Sequence, residues 1–169
     1  MKVKLLEPNW NSGVSIINLP HSELISRGII CLLLDVDGTL LPRSDDKISI
    51  PVKNWIHTAK SYFRIHLISN NPSKNRIKKI AEQLNLSYSY KASKPSRKKL
   101  IGFINKTGEK KETLAIIGDR IFTDILAGNR LGIYTILVKP TNSDGFANLN
   151  SKMQNFEIKL SLLMGALKK

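Results

Sequence analysis

Five short segments that are apolar along almost their whole length alternate with amphipathic segments, and this pattern constrains the fold of the 169-residue chain most strongly. A strand with consecutive apolar residues is covered on both faces, as in a parallel sheet between two layers of helices. We therefore predict an α/β fold with three layers and a central parallel sheet of about five strands. The predicted strands are 29–35, 63–69, 86–90, 113–119 and 133–138.

Helical patterns fill the intervals between these strands, and three of them have a proline near the start, where proline is well tolerated. The predicted helices are 51–62, 71–84, 94–108 and 122–132, with Asn71 as a possible N-cap of the second. We predict an N-terminal extension over 1–28, a catalytic core over 29–139 and a C-terminal segment over 140–169. Cys31 is the sole cysteine, so the chain has no disulfide framework and no cysteine-rich metal site.

The C-terminal segment contains a turn-rich stretch and then a predicted amphipathic helix. Apolar residues recur at intervals of three and four, which places them on one face of a helix. We expect this stripe to pack against the core; dimerisation and attachment to a membrane surface are the alternatives. The stripe consists of Leu149, Met153, Phe156, Leu160, Leu163 and Leu167.

The apolar run that ends at Leu34 is followed directly by Asp35, Val36, Asp37, Gly38 and Thr39. Asp35 and Asp37 are two residues apart, so on extended backbone their side chains point the same way. They lie at the carboxyl end of a strand, where functional sites form in parallel sheets. A calcium loop is excluded because it needs glycine at its sixth position and glutamate at its twelfth. A solvated turn and phosphoryl transfer through an aspartyl phosphate both fit the two carboxylates.

Phosphoryl transfer requires cationic and neutral groups near the phosphate, and later strands end in suitable residues. Ser69 and Asn70 follow the second predicted strand, and Lys94 precedes a predicted helix, with Lys91 as the competing lysine. Asp119 and Asp124 follow the fourth strand and suit a hard cation such as Mg²⁺. Each of these later features alone is also typical of a structural role, but their joint order favours a phosphoryl-transfer site.

This set of residues resembles the four motifs of the haloacid dehalogenase-like (HAD) superfamily, over roughly residues 29 to 138. The resemblance implies a Rossmann-like fold, Mg²⁺ dependence, Asp35 as nucleophile and Asp37 as general acid and base. It also implies that Asp119 binds Mg²⁺ together with Asp35 and the Asp37 carbonyl oxygen. The remaining implied roles are phosphate binding by Ser69, Asn70 and Lys94, and support of the site by Thr39 and Asp124.

The stretches LLEPNW, SNN, KASKP and GDRIFTDILAGNRLGIYTILVKP are similar to the YqeG-type subgroup of HAD subfamily IIIA, some of whose members are phosphatidylglycerophosphate phosphatases. The intervals 40–63 and 71–94 leave no room for a cap domain. An uncapped site favours a large substrate, whose own surface excludes water from the chemistry. We therefore expect a phosphomonoesterase that acts on a membrane phospholipid; a phosphorylated nucleic acid or protein, and a non-catalytic polyanion-binding role, are the alternatives.

Charge also favours a polyanionic partner, because the chain has a net charge of +14 and residues 74–111 contribute +10 of it. An anionic membrane surface fits this charge, although solvated helix faces would produce the same composition. Nucleic acid is less favoured, because no RNA-binding signature accompanies the basic residues. We find no signal peptide and no apolar stretch of the roughly 20 residues that span a bilayer, and expect a cytoplasmic protein that is peripheral to a membrane at most.

Overall fold

The computed structural model describes residues 5–163, which form one parallel sheet of six strands between two layers of helices. The strand order across the sheet is β1-β6-β5-β2-β3-β4. The strands are β1 (Trp10–Asn11), β2 (Cys31–Leu34), β3 (Arg64–Ile68), β4 (Ser87–Ser89), β5 (Leu114–Gly118) and β6 (Tyr134–Leu137). The predicted α/β class and three-layer Rossmann-like architecture are confirmed.

Six α-helices connect or follow these strands within residues 5–163. They are α1 (His21–Ser26), α2 (Ile50–Ala59), α3 (Lys74–Leu84), α4 (Lys98–Thr107), α5 (Leu126–Leu131) and α6 (Lys152–Leu163). A π-helical turn, Ile121–Ile125, precedes α5, and short 3-10 helices cover Ile16–Asn18 and Lys111–Thr113. Between β2 and β4 the chain forms only loops, α2, β3 and α3, so the described residues contain no cap domain, as predicted.

The central strand β2 is buried along its whole length, and its side chains alternate between the two faces of the sheet. Leu32 and Leu34 join the larger apolar core under α2 and α3, whereas Cys31 and Leu33 join the second core under α4 and α5. This alternation explains the uninterrupted apolar run. Burial raises the pKa of the Cys31 thiol to about 12, which agrees with a structural, unreactive cysteine.

Each of the five predicted strands is present, but the sheet has a sixth that we did not predict. The strand β1 comprises two residues, Trp10 and Asn11, which pair in parallel with Ile136 and Leu137 of β6. Two residues are too few to produce a recognisable pattern of hydrophobicity. Part of the predicted N-terminal extension therefore belongs to the sheet of the core.

The helix α3 begins later than predicted. Its N-cap is Ser73, whose hydroxyl accepts a hydrogen bond from the backbone N–H of Arg76 at 3.3 Å. Asn71 lies two residues before this cap, and its side-chain amide donates to the carboxylate of Asp37 at 3.0 Å instead. The prediction of Asn71 as an N-cap is wrong because this asparagine contacts the first motif.

The helix α6 packs on the core, but mainly through a different face from the one predicted. Gln154, Glu157 and Ser161 are its buried residues, whereas Phe156 is 61% and Leu163 is 85% exposed. The prediction that the apolar stripe packs against the core is therefore wrong for its exposed members, whereas Leu160 is partly buried and Leu167 lies outside the described residues. No helix among residues 5–163 is long and apolar enough to cross a membrane.

A buried histidine on β3 makes the stability of the fold sensitive to acid. His66 lies between the hydroxyls of Ser87 and Ser89, at 2.7 and 2.9 Å, and its ring contacts that of Phe103. Burial, with a smaller contribution from the Lys106 charge, lowers the pKa of His66 from 6.5 to about 4. Between pH 6.5 and about pH 4 the unfolded chain binds a proton at His66 that the folded chain does not bind. The free energy of unfolding is therefore unaffected by protonation of His66 above pH 6.5, and it decreases as the pH falls toward 4.

We expect acidification from pH 7 to pH 5 to lower the free energy of unfolding by about 2 kcal/mol more in the wild type than in His66→Gln. Urea unfolding at both pH values measures this difference, and the comparison cancels the contribution of groups that both proteins share. Equal losses in the two proteins would contradict the assignment of a neutral, buried imidazole at position 66.

Candidate active site

The first motif lies at the carboxyl end of the central strand. The backbone N–H of Asp35 still donates to the Ile117 carbonyl oxygen at 2.9 Å, so Asp35 extends the β2–β5 pairing by one residue. Its side chain is buried, and Oδ1 accepts a hydrogen bond from Nζ of Lys94 at 2.6 Å. Directly afterwards the backbone turns at Gly38, whose φ of +93° suits a residue without a side chain.

Lys94, and not Lys91, is the lysine that enters the site. Its Nζ lies 2.6 Å from Oδ1 of Asp35, 2.6 Å from Oδ1 of Asp124 and 2.8 Å from the Ile68 carbonyl oxygen. Lys91 is exposed. The Asn70 side chain holds the Lys94 backbone through two hydrogen bonds, one to its carbonyl oxygen and one from its N–H, at 2.9 and 2.7 Å. The Asn70 amide therefore positions the lysine, and its predicted contact with the phosphate stays a prediction.

Three carboxylates converge beside this lysine. Each of Asp35, Asp119 and Asp124 contributes an oxygen, and these oxygens lie within 4.8 Å of one another. A Cβ atom on Gly38 would come within 2.5 Å of Oδ2 of Asp119, and one on Gly118 within 2.3 Å of the Asp124 carboxyl group. Both glycines are therefore needed for this close approach of backbone and carboxylate.

Two hydroxyl groups, those of Thr39 and Ser69, also belong to the site. Thr39 Oγ1 lies 3.4 Å from both an Asp35 oxygen and an Asp119 oxygen, so it joins the first and fourth motifs. Ser69 is buried at the end of β3, and its Oγ accepts a hydrogen bond from the Asn71 backbone N–H at 3.0 Å. This acceptor role leaves the Ser69 hydroxyl proton available for a ligand.

The Asp37 carboxylate lies outside the three-carboxylate cluster and has its own partners. Arg76 Nη1 donates to Oδ1 of Asp37 at 2.6 Å, and Asn71 Nδ2 donates to Oδ2 at 3.0 Å. Arg76 Nη2 donates to the carbonyl oxygen of Asp45 at 2.6 Å, so one guanidinium holds both Asp37 and the loop that follows it. Arg76 was not among the predicted site residues, because an arginine in the first turn of a basic helix resembles its solvated neighbours.

The three carboxylates place more negative charge in the protein interior than the single lysine can neutralise. Burial raises the pKa of Asp35 to about 7, with a smaller contribution from Asp124, although Lys94 opposes the shift. Burial and the neighbouring carboxylates also raise the pKa of Asp119. For Lys94, burial alone would lower the pKa, but Asp124 and Asp35 outweigh it and raise the pKa. One ammonium group thus compensates only part of the charge of three carboxylates.

A divalent cation fits this set of donors, because oxygen ligands with excess negative charge are what Mg²⁺ prefers. Each of Asp35, Asp119 and Asp124 could contribute an oxygen to the ion. Asp124 also contacts Lys94 and accepts a hydrogen bond from the Arg120 backbone N–H at 3.2 Å. The choice of Asp35 and Asp119 as the ligands, with Asp124 in support, stays a prediction. The predicted third ligand, the Asp37 backbone carbonyl oxygen, stays a prediction.

The site opens into a cleft of about 270 Å³ that contains groups beyond the predicted set. Arg43, Arg120, Thr123 and Met153 also line it. Arg43 lies in the loop after β2, Arg120 and Thr123 follow β5, and Met153 belongs to α6. No motif in the sequence distinguished these residues, since their role depends on where α6 and the loops lie in space.

Comparison with known proteins agrees with this geometry. A family model described as mitochondrial PGP phosphatase matches residues 11–142. The chain is 33% identical over 134 residues, 78% of its length, to "Probable phosphatase YqeG" of Bacillus subtilis strain 168, and the match covers 77% of that protein.

Two solved structures share the fold at low sequence identity. An uncharacterized protein from Listeria monocytogenes serotype 4b has a TM-score of 0.56 at 14% identity, covering 82% of this chain and 100% of the other. The cobalt-bound deoxy-D-mannose-octulosonate 8-phosphate phosphatase YrbI of Haemophilus influenzae has a TM-score of 0.51 at 12% identity, covering 83% and 90%.

The parallel sheet with acidic motifs at the ends of β2 and β5, together with these relatives, defines a HAD-like phosphatase, a phosphoric monoester hydrolase. Within that class, the chain belongs to the family described as mitochondrial PGP phosphatase.

Proposed function

We propose that the protein is a Mg²⁺-dependent phosphomonoester hydrolase that works through an aspartyl phosphate on Asp35. The observation that carries this proposal is the different environment of two carboxylates two residues apart. Asp35 is buried against Lys94, whereas Asp37 is held by Arg76 at the side of the cleft. Such a division suits one carboxylate as nucleophile and the other as proton carrier.

In the first step, an oxygen of Asp35 attacks the phosphorus atom and the bond to the leaving alcohol oxygen breaks. The protonated carboxyl group of Asp37 gives its proton to that oxygen, so the product leaves as a neutral alcohol. Lys94 and the hydroxyl of Ser69 bind the phosphoryl oxygens, and Asn70 keeps Lys94 in place. The hydrogen bonds between the Asn70 side chain and the Lys94 backbone, and the buried position of Ser69, support these roles.

In the second step, the Asp37 carboxylate takes a proton from a water molecule as that water attacks the phosphorus atom. The bond between phosphorus and Asp35 breaks, which releases inorganic phosphate and returns the Asp35 carboxylate. Arg76 and Asn71 keep Asp37 at the same place in both steps, which supports its use first as an acid and then as a base.

A Mg²⁺ ion would be held by Asp35, Asp119 and the Asp37 backbone carbonyl oxygen, and would neutralise the charge of the phosphoryl group. Thr39 and Asp124 support this set: Thr39 lies between Asp35 and Asp119, and Asp124 binds Lys94 and the Arg120 backbone. The excess negative charge of the three buried carboxylates supports the need for such an ion.

For the substrate we propose phosphatidylglycerophosphate, a phosphomonoester in an anionic lipid. Membership of the family with that name supports this choice, as do the absence of a cap over the described site and the net charge of +14. Without a cap, water must be excluded by the substrate or by the surface that contains it. A bilayer interface provides such a surface.

Release of phosphate from phosphatidylglycerophosphate in mixed micelles, compared with release from a 5′-phosphorylated oligonucleotide, tests the substrate. We expect kcat/KM at least about 100-fold higher for the lipid, a difference of roughly 3 kcal/mol in transition-state binding. Asp35→Asn, assayed alongside, controls for contaminating phosphatases. A preference for the oligonucleotide would contradict the phospholipid proposal while leaving the phosphatase chemistry intact.

Arg76 gives a prediction about the position of Asp37. We expect Arg76→Met to lower kcat by roughly 10- to 100-fold, because its guanidinium fixes Asp37 and the loop after it within hydrogen-bond distance. Lys79→Met, which removes an exposed cation from the same helix, is the matched control and should leave kcat unchanged. Equal activities of the two variants would show that Asp37 needs no such support.

A further inference from the structure

The outer face of α6 is an exposed apolar surface without a partner among the described residues. Met153, Phe156 and Leu163 are spaced by three and seven residues, which places them on one side of the helix, and they are 53%, 61% and 85% exposed. Leu149, just before the helix, is 68% exposed. Contiguous apolar side chains on a protein surface commonly mark an interaction site.

This surface, which we call the α6 outer face and define as Leu149, Met153, Phe156 and Leu163, adjoins the mouth of the active site. Met153 itself lines the catalytic cleft. The next residue, Gln154, donates hydrogen bonds to the carbonyl oxygens of Asp119 and Val138, at 2.8 and 2.7 Å. The helix therefore crosses the carboxyl edge of the sheet, beside the carboxylate that would bind the metal ion.

The buried side of α6 is fixed to the same edge by an ion pair whose carboxylate is buried. Glu157 accepts hydrogen bonds from Nη2 and Nε of Arg120, the latter at 2.7 Å, and from the backbone N–H of Ile121 at 2.8 Å. These bonds are buried on the Glu157 side and connect the helix to the turn directly after Asp119. A surface that binds the outer face of α6 would thus stand at a fixed distance from the cleft.

The net charge of the protein indicates what binds the α6 outer face. With a net charge of +14, two copies of the chain repel each other, whereas an anionic lipid surface attracts the protein. Basic side chains lie beside the outer face: Lys152 and Lys159 are exposed on α6, and Arg43 is exposed at the cleft. Exposed apolar side chains with basic residues beside them are two features that interfacial helices share, and the exposed side of α6 has both.

We propose that the α6 outer face docks the protein onto an anionic lipid bilayer and holds the mouth of the cleft against it. The proposal rests on the phospholipid substrate argued above, and it adds the surface through which that substrate is approached. Phe156 and Leu149 enter the interface, while Lys152 and Lys159 remain at the level of the headgroups. A headgroup phosphate then reaches the cleft past Met153.

Sedimentation with vesicles of phosphatidylcholine and phosphatidylglycerol tests the docking surface, because it requires no hydrolysis. We expect the double variant Leu149→Ser with Phe156→Ser to bind these vesicles about tenfold or more weakly than the wild type, without any change in net charge. The matched control is Ile30→Ser with Tyr62→Ser, which are 51% and 56% exposed at the opposite edge of the sheet. The control should bind like the wild type, and both variants should hydrolyse p-nitrophenyl phosphate at the wild-type rate.

Each outcome decides between defined alternatives. Vesicle binding by the α6 variant equal to that of the wild type would overturn the docking proposal. A wild type that is a dimer in solution and becomes a monomer in the α6 variant would also overturn it, since the face would then join two copies. Loss of vesicle binding in the variant, with no hydrolysis of phosphatidylglycerophosphate by the wild type, would support docking and overturn the proposed substrate.

Discussion

Asp35→Asn should lower the rate of phosphomonoester hydrolysis by about 10⁴-fold or more, because an amide cannot form the acyl phosphate on which the proposed route depends. The substitution keeps the shape of the side chain at a buried position, where Oδ1 contacts Lys94. The protein should therefore remain folded, and substrate binding should change much less than turnover. The initial rate with p-nitrophenyl phosphate and Mg²⁺ is the measurement.

Asp46→Asn is the matched control, since it removes an exposed carboxylate from the loop after the first motif. We expect this control to retain wild-type activity and stability. Activity of Asp35→Asn within tenfold of the wild type would contradict the role of Asp35 as nucleophile. A wild type inactive toward every phosphomonoester tested would contradict the proposed hydrolysis as a whole.

Lys94→Met should affect both stability and activity. The Lys94 side chain is 1% exposed and contacts two carboxylates and a carbonyl oxygen, so its removal leaves buried negative charge without its fixed cation. We expect the free energy of unfolding to fall by about 3–5 kcal/mol in the absence of divalent cations. Loss of the ammonium group from the phosphoryl oxygens should also lower kcat by about 10²- to 10³-fold.

Lys91→Met provides the control for Lys94→Met, because it removes a lysine three residues away that is exposed. Its effect on the free energy of unfolding should be within about 0.5 kcal/mol, and its activity should equal that of the wild type. Urea unfolding and initial rates measure both variants. Loss of activity in Lys91→Met, with activity retained in Lys94→Met, would contradict the role of Lys94 at the phosphoryl oxygens.

The parts of the fold that could be predicted from the sequence are those with a strong local pattern. The buried strands β2 and β5 produce apolar runs that end in Asp35 and Asp119, and the carboxyl ends of parallel strands lie on one edge of the sheet. The order of motifs along the chain therefore predicted which residues would meet. The short edge strand β1 has no comparable pattern, since it comprises only Trp10 and Asn11.

The residues that could not be predicted depend on tertiary contacts. Arg76 lies on a helix with several other cations, and only the approach of α3 to the first motif separates it from them. Gln154 and Glu157 are polar residues of a surface helix, and the usual rule assigns such side chains to solvent. Here they are buried, because Gln154 donates hydrogen bonds to backbone carbonyl oxygens and Glu157 pairs with the arginine of the turn after β5.

The orientation of α6 explains why this helix matters for the proposed function. Because α6 turns Gln154, Glu157 and Ser161 toward the core, Phe156 of the apolar stripe is left largely exposed. The stripe is visible in the sequence, but its position relative to the core is not. The choice between core packing and an external partner thus depends on the hydrogen-bonding needs of Asp119, Arg120 and Ile121, which no property of the helix alone reveals.

Acid quenching during turnover tests the central claim most directly. The enzyme is mixed with Mg²⁺ and a phosphomonoester substrate, stopped with acid within the first turnovers, digested and examined by peptide mass spectrometry. We predict that the peptide containing Asp35 carries one phosphoryl group, that Asp37→Asn accumulates more of it, and that Asp35→Asn carries none. Turnover without a phosphoryl group on residue 35, or with the group on another residue, would contradict the proposed aspartyl-phosphate mechanism.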